Sequence, residues 1–128
     1  MSSWGEVTEV VSRARDVMKA TEDALVVAVA TGRKRRKVKI AQHEAFGEPW
    51  IEITCVIGVP QRFDLAAVMR HAAELPIGSA MLDGDRIRLR CAVPLARYEA
   101  DELDEIVELI GREAAIMARL GWSSARSA

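Results

Sequence analysis

Three strand-like segments follow one another between residues 24 and 59, and the short connections between them restrict how the chain can fold. The segment "ALVVAVA" (24–30) is apolar throughout and rich in β-branched residues, which is typical of a strand inside a sheet. The segments "RKVKI" (36–40) and "WIEITCVIGV" (50–59) alternate between apolar and polar residues. This alternation predicts strands with one buried face. Together the three segments predict an antiparallel meander with one face free to pack against helices.

Segments with helical periodicity flank this meander. From Trp4 to Met18 the apolar residues repeat at helical spacing, and Ser3 with Glu6 forms a capping-box pattern. After the meander the period changes again to about 3.6 residues, with Asp64 as the expected N-cap and Pro76 as the stop signal. Residues 101–120 predict a last amphipathic helix, because acidic residues fill its first turns and an apolar stripe runs along it.

A hairpin is expected between the second and third helices. The segments "GSAML" (78–82) and "RIRLRCAVPL" (86–95) flank the turn "DGD". Strict alternation in the second segment predicts one row of inward apolar residues and one row of outward cations: Ile87, Leu89, Cys91 and Val93 inward, Arg86, Arg88 and Arg90 outward. The predicted fold is therefore α+β, in the order α-β-β-β-α-β-β-α, with an antiparallel sheet and the helices packed on one face.

Composition indicates one globular domain without a bulk polyanion-binding surface. Half of the 128 residues are hydrophobic, which is enough for one substantial core, and we expect a single domain over residues 1–122 and a flexible tail over 123–128. Eighteen basic residues against nineteen acidic ones give a formal charge of -1, so any basic function has to be local. The N-terminus lacks a targeting pattern, and no apolar run approaches the roughly 20 residues of a membrane span, so a cytoplasmic protein is expected.

The two cysteines are expected to be small buried thiols. Cys55 and Cys91 each lie in an apolar strand-like segment, without a Cys-x-x-Cys pattern or a Cys/His cluster nearby. A disulfide between the two strands is the less favoured alternative.

The element order and the C-terminal half, "GSAMLDGDRIRLRCAVPL" followed by "DELDEIVELIGREAAIMARLGW", resemble the bacterial type III secretion chaperone-like superfamily and its YbjN-type relatives. The resemblance extends over nearly the whole chain. It implies a non-enzymatic homodimer that needs no cofactor, pairs through the second helix and a neighbouring strand, and holds an extended segment of a partner protein. The dimer surface implied for this chain consists of Leu65, Val68, Met69 and Ala72. The partner groove would follow strand edges and exposed apolar positions such as Val56.

Two rows of cations allow two interpretations. Lys37 and Lys39 form one row after Arg35, and Arg86, Arg88 and Arg90 form the other. The first row could be a solvated sheet face whose lysines pair with Glu48 and Glu52 across the strands, at about 0.2 to 1 kcal/mol for each pair. Alternatively, both rows could form a surface for a polyanion or an acidic peptide. Neither row contains a stacking aromatic residue, which favours an acidic protein segment over nucleic acid.

The remaining chemistry-bearing residues do not form a recognisable site in the sequence. His43 and His71 lack a second histidine, a cysteine or a serine motif at ligand or triad spacing, so neither an enzyme nor a metal centre is predicted. Trp50 and Trp122 lie at the ends of predicted elements, where they either cover the margin of the core or contact a partner. Two hypotheses follow: a chaperone-like protein-binding module, and, as the alternative, a regulatory nucleic-acid-binding protein that uses the basic strand faces.

Overall fold

The computed structural model describes the backbone of residues 2–127 and the side chains of residues 2–120, and this part of the chain folds into α-helices packed on a six-stranded antiparallel sheet. The helices and strands are α1 (Trp4–Ala14), β1 (Val17–Ala20), β2 (Ala24–Thr31), β3 (Lys34–Ala45), β4 (Glu48–Gly58), α2 (Leu65–Ala73), β5 (Ser79–Asp83), β6 (Arg86–Pro94) and α3 (Ala100–Ser127), with short 3₁₀ turns at Pro60–Arg62 and Leu95–Arg97. The strands lie in the order β1-β2-β3-β4-β6-β5, and all neighbours are antiparallel. The predicted α+β fold, with an antiparallel sheet and its helices, is confirmed.

The sequence prediction lacked strand β1. The first helix was predicted to continue to Met18, but α1 ends at Ala14, and residues 17–20 pair with β2 at the sheet edge. The helix ends where Arg15 becomes extended and its guanidinium binds α3, with its Nε 2.9 Å from Asp104 Oδ1 and its Nη1 2.8 Å from Glu108 Oε2. The helical spacing of Val17 was therefore misleading, since this tertiary contact turns the chain away from the helix.

Helix α3 crosses the buried face of the sheet and contacts β2, β3, β4 and β6. Its Gly111 allows a close approach, because a Cβ atom there would lie 2.9 Å from Val29 Cβ. Alternation along β6 is strict: Ile87, Leu89, Cys91 and Val93 are buried, as predicted, while the residues between them are partly exposed. The core thus lies between one face of the sheet and the helices.

Helices α1 and α2 pack beside α3 on the same side. Both begin at the predicted caps, since the Glu6 N–H donates to Ser3 Oγ at 3.2 Å and the Ala67 N–H donates to Asp64 Oδ1 at 3.2 Å. Cys55 and Cys91 are buried and free, which confirms the expected thiols. Trp122 and the predicted tail, 123–128, lie outside the residues whose side chains are described.

Candidate functional site

The sheet face opposite the helices brings the two predicted rows of cations together. Lys39 lies opposite Thr54 on β4, and Thr54 lies opposite Arg90 on β6. Two residues further along β4, Val56 lies opposite Arg88 of β6. Lys37 lies on the same face as Lys39 because the two lysines are two residues apart on β3. We call Lys37, Lys39, Arg88 and Arg90 the basic patch.

The pleated sheet sets the spacing of the basic patch. Neighbouring strands are about 4.8 Å apart, so Lys39 and Arg90, with β4 between them, are separated by about 10 Å at the backbone. Along each strand the two cations of a row are about 7 Å apart. The patch is therefore a rectangle of positive charge with Thr54 and Val56 in its centre.

The arginines of the basic patch have carboxylate partners, whereas the lysines do not. Arg90 Nε lies 2.6 Å from Glu52 Oε2, and Arg88 Nε lies 2.8 Å from Asp83 Oδ2. Lys37 and Lys39 are exposed, and no described residue forms an ion pair with them. The lysines are thus the available charges of this site.

Neither Glu48 nor Glu52 lies directly opposite a lysine of the basic patch. Glu52 lies opposite Ala41, and Glu48 lies opposite Ala45. Glu52 is a diagonal neighbour of Lys39 but is bound to Arg90 instead, and periodicity alone does not determine this choice of partner.

Other predicted cations lie outside the basic patch. Arg86 begins β6 at the corner of the sheet, where its Nη1 is 3.2 Å from Asp85 Oδ2. Arg35 is bound to Asp16 at 2.6 Å. Arg36 belongs to the other face of β3, and its Nη1–H donates to the Val56 carbonyl at 2.9 Å, which keeps the end of β4 attached to β3.

The far end of the uncovered face is aromatic. Trp50 lies opposite both His43 on β3 and Pro94 on β6, and its Nε1–H donates to the Ala45 carbonyl at 3.0 Å. Phe46, in the turn between β3 and β4, meets the Trp50 ring edge to face with centroids 6.3 Å apart. Phe46 is 95% exposed. We call Phe46 and Trp50 the aromatic end.

Sequence reasoning placed Trp50 among the candidates but missed Phe46. The predicted strand segments end at Ile40 and begin again at Trp50, whereas β3 and β4 continue to a two-residue turn made of Phe46 and Gly47. A large aromatic residue immediately before glycine, between two alternating segments, is the signal that could have identified it.

The four residues of the predicted dimer surface separate into two groups. Val68 and Ala72 are core residues, with 1% and 7% exposure, whereas Leu65 and Met69 are 41% and 54% exposed. Val68 and Ala72 are therefore corrected to core positions: they are on the side of α2 that faces the sheet and α3.

The exposed pair adjoins an apolar strand edge. Leu65 and Met69 line a groove of about 320 Å³ together with Met81 and Leu82 of β5, the outer strand of the sheet. We call these four residues the α2–β5 surface. Neither Met81 nor Leu82 was assigned to this surface from the sequence, because the strand order that makes β5 an edge is not visible there.

The two histidines have different surroundings. His71 Nε2 is 2.9 Å from Glu113 Oε2, which joins α2 to α3, whereas His43 is exposed on β3. Among the described residues no group of three His, Cys, Asp or Glu has an arrangement that could hold a metal ion. Burial raises the pKa of the Cys55 thiol to about 11 and also raises that of Cys91, so both thiols stay protonated near neutral pH.

Comparison with protein-family models and with curated proteins gives no relative. No protein-family model matches the chain, and no curated protein is significantly similar to it. Within the described residues, none of the helices combines the length and the hydropathy that a membrane crossing requires.

Proposed function

We propose that this chain is a non-enzymatic, chaperone-like module that binds an extended segment of a partner protein on the uncovered face of its sheet. The proposal follows the resemblance to secretion chaperones and YbjN-type regulators, and the cytoplasm of a bacterium is the compartment that this role implies. The observation that supports it is the register of β3, β4 and β6, which places Lys39, Thr54 and Arg90 in one row on a face that no described element covers.

The chemistry of the basic patch favours an acidic segment. Lys37 and Lys39 are available to carboxylates, and Arg88 and Arg90 can exchange their present partners for those of a ligand. An extended segment projects every second side chain toward the face, at a spacing of about 7 Å that matches the spacing of the cations along a strand.

A homodimer is the second part of the proposal. The α2–β5 surface combines exposed apolar side chains with an unpaired strand edge, which is a combination that proteins usually avoid unless it is covered. Pairing two copies there would cover both features while leaving the basic patch accessible. A native mass spectrum at twice the chain mass is the expected result.

One observation favours the alternative, a nucleic-acid-binding protein. The aromatic end shares the uncovered face with the basic patch, so cations and rings are not as separate as the sequence indicated. However, the Trp50 ring is held in place by its hydrogen bond to Ala45 and contacts Phe46, and Glu48 lies beside it on the same face. A carboxylate at that position would repel a phosphate backbone.

Fluorescence anisotropy with two labelled probes tests the proposal. The probes are a peptide in which Glu and Ser alternate and a single-stranded oligothymidylate. The double variant Lys37→Glu/Lys39→Glu should weaken peptide binding at least about tenfold, because two attractive charge pairs become repulsive. The matched control is Arg70→Glu/Arg112→Glu, which makes the same change in net charge at two exposed cations on the helices.

The outcomes separate the two functions. Peptide binding that is lost in the first variant and retained in the control supports the proposal. Equal binding by both variants, or no peptide binding by the wild-type protein, contradicts it. Tighter binding of the oligonucleotide, falling steeply between about 50 and 200 mM salt, would instead support the nucleic-acid alternative.

A further inference from the structure

We infer that the bound segment is bipartite, with carboxylates over the basic patch and a large apolar side chain against the aromatic end. This inference rests on the proposed function and adds the layout of the ligand. Thr54, in the centre of the patch, and Trp50 are four residues apart on β4, which corresponds to about 13 Å in an extended chain. The apolar residue of the ligand is therefore expected about four residues from its acidic centre.

The conformation of Phe46 is the first observation. Its φ is 54°, and the following Gly47 has a φ of 76°, as in the two-residue turns whose first position favours Asn, Asp or Gly. Phe46 is the one described non-glycine residue with positive φ, and it is almost fully exposed. A bulky apolar residue that neither suits its backbone nor contributes to the core indicates a contact outside the chain.

The surroundings of Phe46 form the second observation. The Trp50 ring lies edge to face with the phenyl ring, and the hydrogen bond from its Nε1–H to the Ala45 carbonyl orients the indole. Pro94 lies opposite Trp50 and extends the apolar surface toward β6. An indole that is already oriented can receive an apolar side chain with little loss of its own conformational entropy.

The positions of the charges on the uncovered face determine where the acidic part of the ligand can lie. Glu48 lies at the aromatic end of the uncovered face, opposite Ala45, so a ligand carboxylate there would be repelled. Between the two ends, Glu52 is bound to Arg90. The small residues Ala41 and Ala92 lie on either side of Glu52, so few long side chains project from this part of the face. The acidic part and the apolar part of the ligand therefore have separate places.

Three labelled peptides test the layout by fluorescence anisotropy. The first alternates Glu and Ser and carries a Phe four residues beyond its central Glu. The second has Ser in place of that Phe, and the third has the Phe beside the central Glu. We expect the first to bind about tenfold more tightly than the other two, the range in which buried aromatic anchors commonly contribute.

The variant Phe46→Asn separates binding from folding. Asparagine suits positive φ and the two-residue turn, so the variant should melt at the same temperature as the wild type or higher. We expect it to bind all three peptides equally, at the affinity of the peptide without Phe. The control Val17→Thr removes another exposed apolar residue, which lies opposite Val27 on the helix side of the sheet, and should keep the wild-type preference.

The failures are distinguishable. If Phe46→Asn keeps the preference for the first peptide, or the wild type shows none while still binding the acidic peptides through Lys37 and Lys39, the bipartite layout is wrong and the proposed function stands. If the wild type binds none of the peptides, the proposed function itself fails.

Discussion

The two faces of the sheet are formed by the same strands but differ in burial and in charge. On the covered face Val27, Val38, Ile53 and Leu89 are completely buried beneath the helices. On the other face their immediate neighbours are residues such as Lys39 and Arg90, which no described element covers. Residues on the covered face are constrained by close packing against the helices, whereas the charged residues on the uncovered face are not.

Thr54 shows how the uncovered face achieves local burial without a second layer. It is only 7% exposed although it faces away from the helices. Lys39 and Arg90 lie on either side of it, and the aliphatic parts of such side chains can cover a neighbour while their charges remain in water. Local burial on this face therefore reflects long side chains rather than a core.

A matched pair on β2 provides the largest expected effect. Val27 faces the helices at 0% exposure, and Val26, beside it in the chain, is half-buried on the other face. Val27→Ala should lower the free energy of unfolding by about 2 to 3 kcal/mol, because it removes buried methyl groups and leaves a cavity. Val26→Ala should cost less than about 1 kcal/mol. Urea denaturation measures both, and equal losses would contradict the difference between the faces.

Burial on the covered face should also disfavour ionisation of the Cys55 thiol. Burial raises the pKa of Cys55 to about 11, whereas an unfolded thiol ionises near its ordinary value of 9.0. Above pH 9 the folded state retains a proton that the unfolded state loses, so stability should fall as the pH rises from about 9 to about 11, by about 2 kcal/mol in total. The free energy of unfolding, measured by denaturation at several pH values in this range, should depend less steeply on pH in Cys55→Ala than in the wild type. An unchanged dependence would contradict the prediction.

The smallest effect is expected for charge reversal on the uncovered face. Lys37→Glu/Lys39→Glu should change the free energy of unfolding by no more than about 0.5 kcal/mol, because neither lysine is paired with a described residue and both are exposed. Thermal unfolding checks this. A large loss would mean that the cations serve the fold, and the binding experiment with this variant would then need a milder substitution such as glutamine.

Much of the fold was predictable because it depends on local patterns. Alternation identified the buried rows of β4 and β6, and the caps of α1 and α2 are short-range hydrogen bonds between neighbours in sequence. Strand β1 was missed because the end of α1 depends on Arg15 reaching carboxylates in α3, about 90 residues away along the chain. The split of the α2 stripe was missed because Leu65 and Met69 differ from Val68 in what packs against them, not in hydropathy.

The candidate site was predictable in composition but not in geometry. The sequence by itself determined that cations alternate with apolar residues on two strands, since side chains on a strand project to opposite faces. Only the tertiary structure decided that both rows share one face around Thr54, that Glu52 neutralises Arg90 rather than a lysine, and that Phe46 projects from a tight turn beside Trp50. The physical reason is that strand order and register depend on contacts between distant segments, whereas alternation depends on the geometry of each strand alone.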